Sequence, residues 1–339
     1  MTAMQETALA MVAAGKGILA ADESTRTIQK RLDSIGVDST EENRRFYRGL
    51  LFGTEGAQDY ISGVIMFDET IRQRADDGTP FPHLLAQMGI VPGIKVDTGA
   101  YPLPGSAGEL VTEGLDGLKG RLAEYRDVGA RFAKWRAVID IGPNVPTFNC
   151  IHANAHALAR YSALCQEESI VPIVEPEVLM DGDHPIERCY EVTHLVLDTV
   201  FSELTLAGVR LDEMILKPNM VIAGKKSEKP AGPDRIAELT IDCFREVVPA
   251  AVPGIVFLSG GQTEEEATVN LNAINRLGPQ PWELSFSYGR ALQQSALSAW
   301  AGRTENRTAA QRAFLHRARM NGLARSGSYT PDLEKGMAA

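Results

Sequence analysis

The chain has 339 residues, 44% hydrophobic and 23% charged, with a formal net charge of −10. That balance is ordinary for a globular protein, and the acidic excess without any Lys/Arg cluster argues against nucleic acid while leaving room for a local pocket that takes a small anion. Four cysteines with no CxxC spacing read as reduced, mostly buried thiols rather than a disulfide framework.

Residues 1–16 read as an amphipathic N-terminal helix. The Ala-rich start resembles a signal peptide only faintly, because it lacks a basic segment and carries Glu6. Short apolar runs then recur at 17–21, 61–67, 91–96, 132–139, 171–179, 214–220, 254–258 and 281–288. Between them lie helical candidates. Ser39-Thr-Glu-Glu42 fits a capping box ahead of Phe46, Tyr47, Leu50 and Leu51. Further helices are predicted at 114–128, 153–168, 184–206, 234–247, 263–277 and 304–324, with a mobile tail over 325–339. Eight strands alternating with helices predict one α/β domain over 1–339, a closed (β/α)8 barrel. The rival doubly wound sheet lacks a GxGxxG after its first strand. The longest uncharged runs, 141–159 and 247–263, contain Pro, Gly, Asn or His, so no membrane span is predicted. The last residues match no retention, peroxisomal or prenylation signal, and the cytoplasm is the expected location.

Catalytic groups of such barrels sit at the carboxyl ends of the strands. Those ends hold Asp22-Glu23-Ser24, Lys95-Val-Asp97, Lys134-Trp-Arg136, Glu175-Pro-Glu177, Lys217-Pro-Asn219, Ser259-Gly-Gly261 and Ser287-Tyr-Gly-Arg290. Three lysines at one barrel end exceed what packing needs. Lys217 interrupts an apolar run, so it is expected to be buried, and a neutral amine there attacks a ketone to form an iminium that accepts electrons. A structural pair with a carboxylate is the bland alternative. Glu175 and Glu177 are expected on opposite faces of their strand, with Glu175 as the proton-transfer group. Asp22 reads either as a reacting carboxylate or as a helix N-cap ahead of Ser24 and Thr25.

Ser259-Gly260-Gly261 precedes a helix start, and Gly289-Arg290 follows the last strand; both suit anion binding by backbone N–H groups. Arg31, with Ser24 and Lys95, is a candidate for a second phosphate. A metal reading rests on His152 and His156, four apart, with His184 and His194 as remote third ligands. It lacks the glutamate of an HExxH motif, and a solvated helix face is preferred. No P-loop is present, so no nucleotide is expected.

The segments AADEST (20–25), TEENRRFY (40–47), GIKVD (93–97), AKWR (133–136), IVEPE (173–177), LKPNMV (216–221), FLSGGQ (257–262) and FSYGRAL (286–292) resemble class I fructose-bisphosphate aldolase, in order over about 15–330. The resemblance implies a (β/α)8 barrel, a homotetramer without metal or other cofactor. It further implies reversible cleavage of fructose 1,6-bisphosphate to dihydroxyacetone phosphate and glyceraldehyde 3-phosphate in glycolysis and gluconeogenesis. Lys217 then matches the Schiff-base lysine and Glu175 the acid/base. Asp22 assists proton removal from the C4 hydroxyl, and Lys134 polarises the reacting region. Ser259, Gly260, Gly261, Ser287, Gly289 and Arg290 match one phosphate site. Ser24, Arg31 and Lys95 match the other, and Arg136 joins the substrate-binding set. Two departures stand out. Arg26 occupies a position that is small in many relatives, and the chain ends in Ala339 where the best-known members have a tyrosine. Tyr329, the last tyrosine, reaching into the site is one expected remedy; another group or slower turnover are the others.

Overall fold

The computed structural model describes residues 1–337. Strands β1 (Gly17–Ala21), β2 (Ile61–Met66), β3 (Val91–Lys95), β6 (Phe132–Ile139), β7 (Val171–Val178), β8 (Ile215–Leu216), β9 (Gly254–Phe257) and β10 (Glu283–Tyr288) close into a barrel. Every pairing is parallel, and β1 closes the ring between β2 and β10. Strands β4 (Gly99–Pro102) and β5 (Leu110–Glu113) form a separate antiparallel hairpin over the barrel mouth. The sequence reading missed that hairpin, whose strands are short, half-exposed and poor in apolar alternation.

The helices are α1 (Ala3–Met11), α2 (Thr25–Asp33), α3 (Glu41–Phe52), α4 (Asp68–Arg72), α5 (Phe81–Gln87), α6 (Leu118–Asp127), α7 (Phe148–Glu167), α8 (Ile186–Leu206), α9 (Pro233–Val247), α10 (Glu264–Arg276), α11 (Arg290–Trp300) and α12 (Arg307–Arg325). Local chemistry fixes several starts. Thr40, not Ser39, caps α3, its hydroxyl accepting from the Asn43 N–H. Thr147 caps α7 through the Cys150 N–H, which starts that helix five residues before the expected 153. Gly117 at φ 67 delays α6 beyond the expected 114. Strand β8 is the shortest because Pro218 has no N–H for the ladder, although the Lys217 N–H still reaches Val174 O at 2.8 Å.

Two packed regions hold this together. The inner one fills the barrel with Ile18, Ile65, Phe132, Ile173 and Val256, and α1 plugs its lower end with Ala8, Met11 and Val12. The outer one lies between strands and helices and contains Trp135, Tyr47 and Trp300. Phe132 needs room: a Cβ on Gly93 would lie 2.2 Å from its ring. All four cysteines are buried and unpaired. No described helix is long and apolar enough to cross a membrane.

The C-terminal segment, expected to be mobile, is seated against α10 and α12. Tyr329 is buried, donating from its N–H to Asn272 Oδ1 and from its hydroxyl to Glu334 Oε1. Glu334 in turn pairs with Arg317 at 2.6 Å and His316 at 2.8 Å. Tyr329 therefore bonds Glu334 and does not line the cavity at the barrel mouth, which corrects the expectation that it reaches into the site. Residues 338–339, including the terminal Ala339, lie outside the described part.

Candidate active site

The upper strand ends and the loops behind them enclose a cavity of about 980 Å3. Every residue of the expected site set lines it. Parallel strands all point their carboxyl ends the same way, so charged residues scattered over 22–290 in sequence meet there.

Two lysines and two carboxylates form its floor. Lys134 Nζ lies 2.7 Å from Asp22 Oδ2 and 3.2 Å from Glu175 Oε2. Lys217 Nζ lies 3.1 Å from the other oxygen, Glu175 Oε1. Both lysines and Glu175 are about 3% exposed, so these charges meet with little water between them. Burial alone would raise the Asp22 carboxyl, but Lys134 and then Lys217 outweigh it and hold it well below the usual carboxylate range. Glu175 is lowered by the same contest, burial opposing and the two lysines prevailing. Burial would strip the proton from Lys134, yet Asp22 and Glu175 lift it above the ordinary lysine range. Lys134 is thus a fixed cation and Asp22 a fixed anion at neutral pH. Asp22 caps no helix, since Ser24 holds the N-cap position of α2, and the alternative cap reading falls away.

Around this floor stand groups suited to phosphate. The loop after β9 turns at Gly261, φ 72, where a Cβ would sit 1.8 Å from Met180 Sδ and 2.4 Å from Lys225 Cε. Only glycine fits that turn. The loop leads into α10, whose first turn is closed by a reciprocal Thr263/Glu266 cap. Gly289 precedes α11, and Arg290 Nη2 donates to Gln262 O at 3.1 Å, tying the two loops together. Ser287 Oγ is buried with no protein partner. Opposite, Ser24, Thr27 and Arg31 stand at i, i+3 and i+7, one face of α2, and all three line the cavity. Lys95 Nζ pairs with Asp97 at 2.6 Å.

Glu177 overturns one expectation. It lines the cavity with Glu175 and pairs with Arg136. Residues two apart on a strand share a face, so the two glutamates converge instead of diverging. The same period could have flagged Asp97 beside Lys95. Glu23 was also passed over, though it sits buried between Arg31 and Arg48. The histidines do not converge on a site: His152 and His156 face different oxygens of Glu203, and His194 pairs with Glu246. Among the described residues, no group of three His, Cys, Asp or Glu side chains is arranged to hold a metal ion.

A parallel barrel that pairs a buried lysine with a carboxylate beneath phosphate-type loops has the groups a lyase of the Schiff-base class requires. A family model described as fructose-bisphosphate aldolase class-I matches residues 3–339. A probable class 1 fructose-bisphosphate aldolase of Xanthomonas campestris pv. campestris is 59% identical, covering 96% of this chain and 98% of its own. The cytosolic fructose-bisphosphate aldolase 4 of Arabidopsis thaliana is 55% identical, over 96% and 83% respectively. Among solved structures, fructose-bisphosphate aldolase from Plasmodium falciparum, in complex with TRAP and a small-molecule inhibitor, superposes with a TM-score of 0.95 at 52% identity, covering 96% of this chain and 95% of its own. The chain belongs to the class I fructose-bisphosphate aldolases, a metal-independent lyase family of glycolysis.

Proposed function

We propose that this protein reversibly cleaves fructose 1,6-bisphosphate to dihydroxyacetone phosphate and glyceraldehyde 3-phosphate through a Schiff base on Lys217, in the cytoplasm, as a homotetramer serving glycolysis and gluconeogenesis. The observation that carries the reading is the Glu175 carboxylate bridging Lys217 and Lys134, one per oxygen, at the floor of a cavity lined by groups suited to phosphate.

Glu175 takes a proton from Lys217, freeing the amine to add to the C2 carbonyl. It returns that proton to the carbinolamine hydroxyl, which leaves as water and gives the iminium. Asp22 then accepts the C4 hydroxyl proton, the C3–C4 bond breaks, and its electron pair passes into the iminium to give an enamine. The aldehyde departs. Protonation of the enamine and hydrolysis of the resulting iminium release dihydroxyacetone phosphate and restore Lys217. Lys134 holds Asp22 and Glu175 as carboxylates between these steps, ready to accept their protons. Ser259, Gly260, Gly261, Ser287, Gly289 and Arg290 hold one phosphate, and Ser24, Arg31 and Lys95 the other, with Arg136 on the substrate. These clamps supply orientation.

Lys217→Met tests the assignment. Cleavage should fall by at least about a thousandfold while circular dichroism and inorganic phosphate binding persist. Wild-type rates in that variant would remove the Schiff base from the account.

A further inference from the structure

At the cavity edge, Arg31 leads into a buried charge cluster, Glu23 with Arg48, that the proposed chemistry does not use. Glu23 follows Asp22, yet its carboxylate turns away from the reacting floor. One oxygen meets Arg31 Nη1 at 2.6 Å and Gln293 Nε2 at 3.0 Å; the other meets Arg48 Nη2 at 2.5 Å. Gln293 Nε2 also donates to Ala20 O at 2.8 Å, so the same amide holds the end of β1. The Arg48 side chain is 2% exposed and that of Glu23 5%, whereas Arg31 is 23% exposed. The three residues form a line from the interior outward: Arg48 buried, Glu23 between, Arg31 at the cavity. Arg31 Nη2 lies 3.5 Å from where a Cβ on Gly289 would stand, which places the guanidinium in contact range of the loop that carries Gly289 and Arg290.

An unheld arginine at a cavity edge samples many rotamers and loses that freedom on binding an anion. A guanidinium gripped on one edge by a fixed carboxylate keeps its remaining N–H groups aimed at the cavity. We propose that Glu23, locked by Arg48 and Gln293, is a positioning residue that sets Arg31 on the α2 face beside Ser24 and Thr27, and thereby gives the site its preference for a ketose phosphorylated at both ends. This rests on the cleavage reading given above. Glu23 touches no substrate; it acts through Arg31.

Wild type, Glu23→Gln and Glu23→Asp should be compared with fructose 1,6-bisphosphate and fructose 1-phosphate as substrates, with folding checked by circular dichroism. Glu23→Gln should raise KM for the bisphosphate about tenfold or more, keep kcat within about twofold, and leave kcat/KM for the monophosphate within about twofold. A merely structural role would lower both substrates together, and that outcome, or unchanged ratios, overturns the proposal. If Glu23→Gln does not fold, Glu23→Asp, which keeps a charge facing Arg48, reads the same ratio. A wild type that cleaves neither ketose would instead refute the cleavage reading, which keeps the two failures apart.

Discussion

Lys134 carries the electrostatics of the site. Asp22 is lowered in the fold, so its pairing contributes stability above about pH 4 and loses it as pH falls through the lower folded value. Lys134 is raised, so its share is present below about pH 10 and lost only as pH rises through the higher folded value. Between those limits the pair contributes evenly. Lys134→Met should cost roughly 3–5 kcal/mol, because it strands buried carboxylates. It should also move the acid limb of the kcat profile to higher pH, since burial then raises Asp22 and Glu175 against Lys217 and more distant cations alone. Denaturant titration and a pH–rate profile check both; an unmoved acid limb would mean that neither carboxylate titrates in the rate. The residues on this floor were legible in the sequence because each one interrupts an apolar strand end. Glu177 was given no role because it was read on the face opposite Glu175, and Asp97, named at its strand end, was given no role either. Glu23 escaped because its partners Arg48 and Gln293 lie 25 and 270 positions off, a closeness that only barrel closure creates.

Among the elements, the loop between β9 and α10 is the most exacting. Gly261→Ala should weaken phosphate binding and destabilise the protein by about 1–3 kcal/mol, because it combines a positive φ with a clash against Met180. Inorganic phosphate titration and thermal unfolding measure this; an unchanged variant would show that Met180 and Lys225 yield freely. The eight barrel strands were readable from their apolar runs to within a few residues. Strand β8 ran shorter than expected because apolar content does not reveal a missing N–H at Pro218. The β4–β5 hairpin and helices α4 and α5 are short and packed by neighbours, whereas α2 and α11 were passed over because each begins directly behind a charged strand end that was read for its chemistry.

At the scale of the whole molecule, the barrel is closed below by α1 and open above at the cavity. The lower plug is therefore remote from the reacting floor. Met11 is fully buried in the inner core. Met11→Ala should cost about 2–5 kcal/mol in denaturant unfolding and leave kcat unchanged. A drop in kcat at full folding would tie the lower plug to the chemistry. The closed barrel followed from the alternation of strands and helices, but the seating of Tyr329 on Glu334 did not, because that contact joins a terminal segment to surfaces of α10 and α12 that no local pattern announces.

The central claim is a covalent bond to one lysine out of the two that face Glu175. Incubation with dihydroxyacetone phosphate and borohydride, with a chelator present, followed by peptide mass mapping, reads it directly. A reduced adduct on Lys217, in step with loss of activity, is the predicted result. An adduct on Lys134, or no adduct while the chelator alone abolishes cleavage, would contradict it.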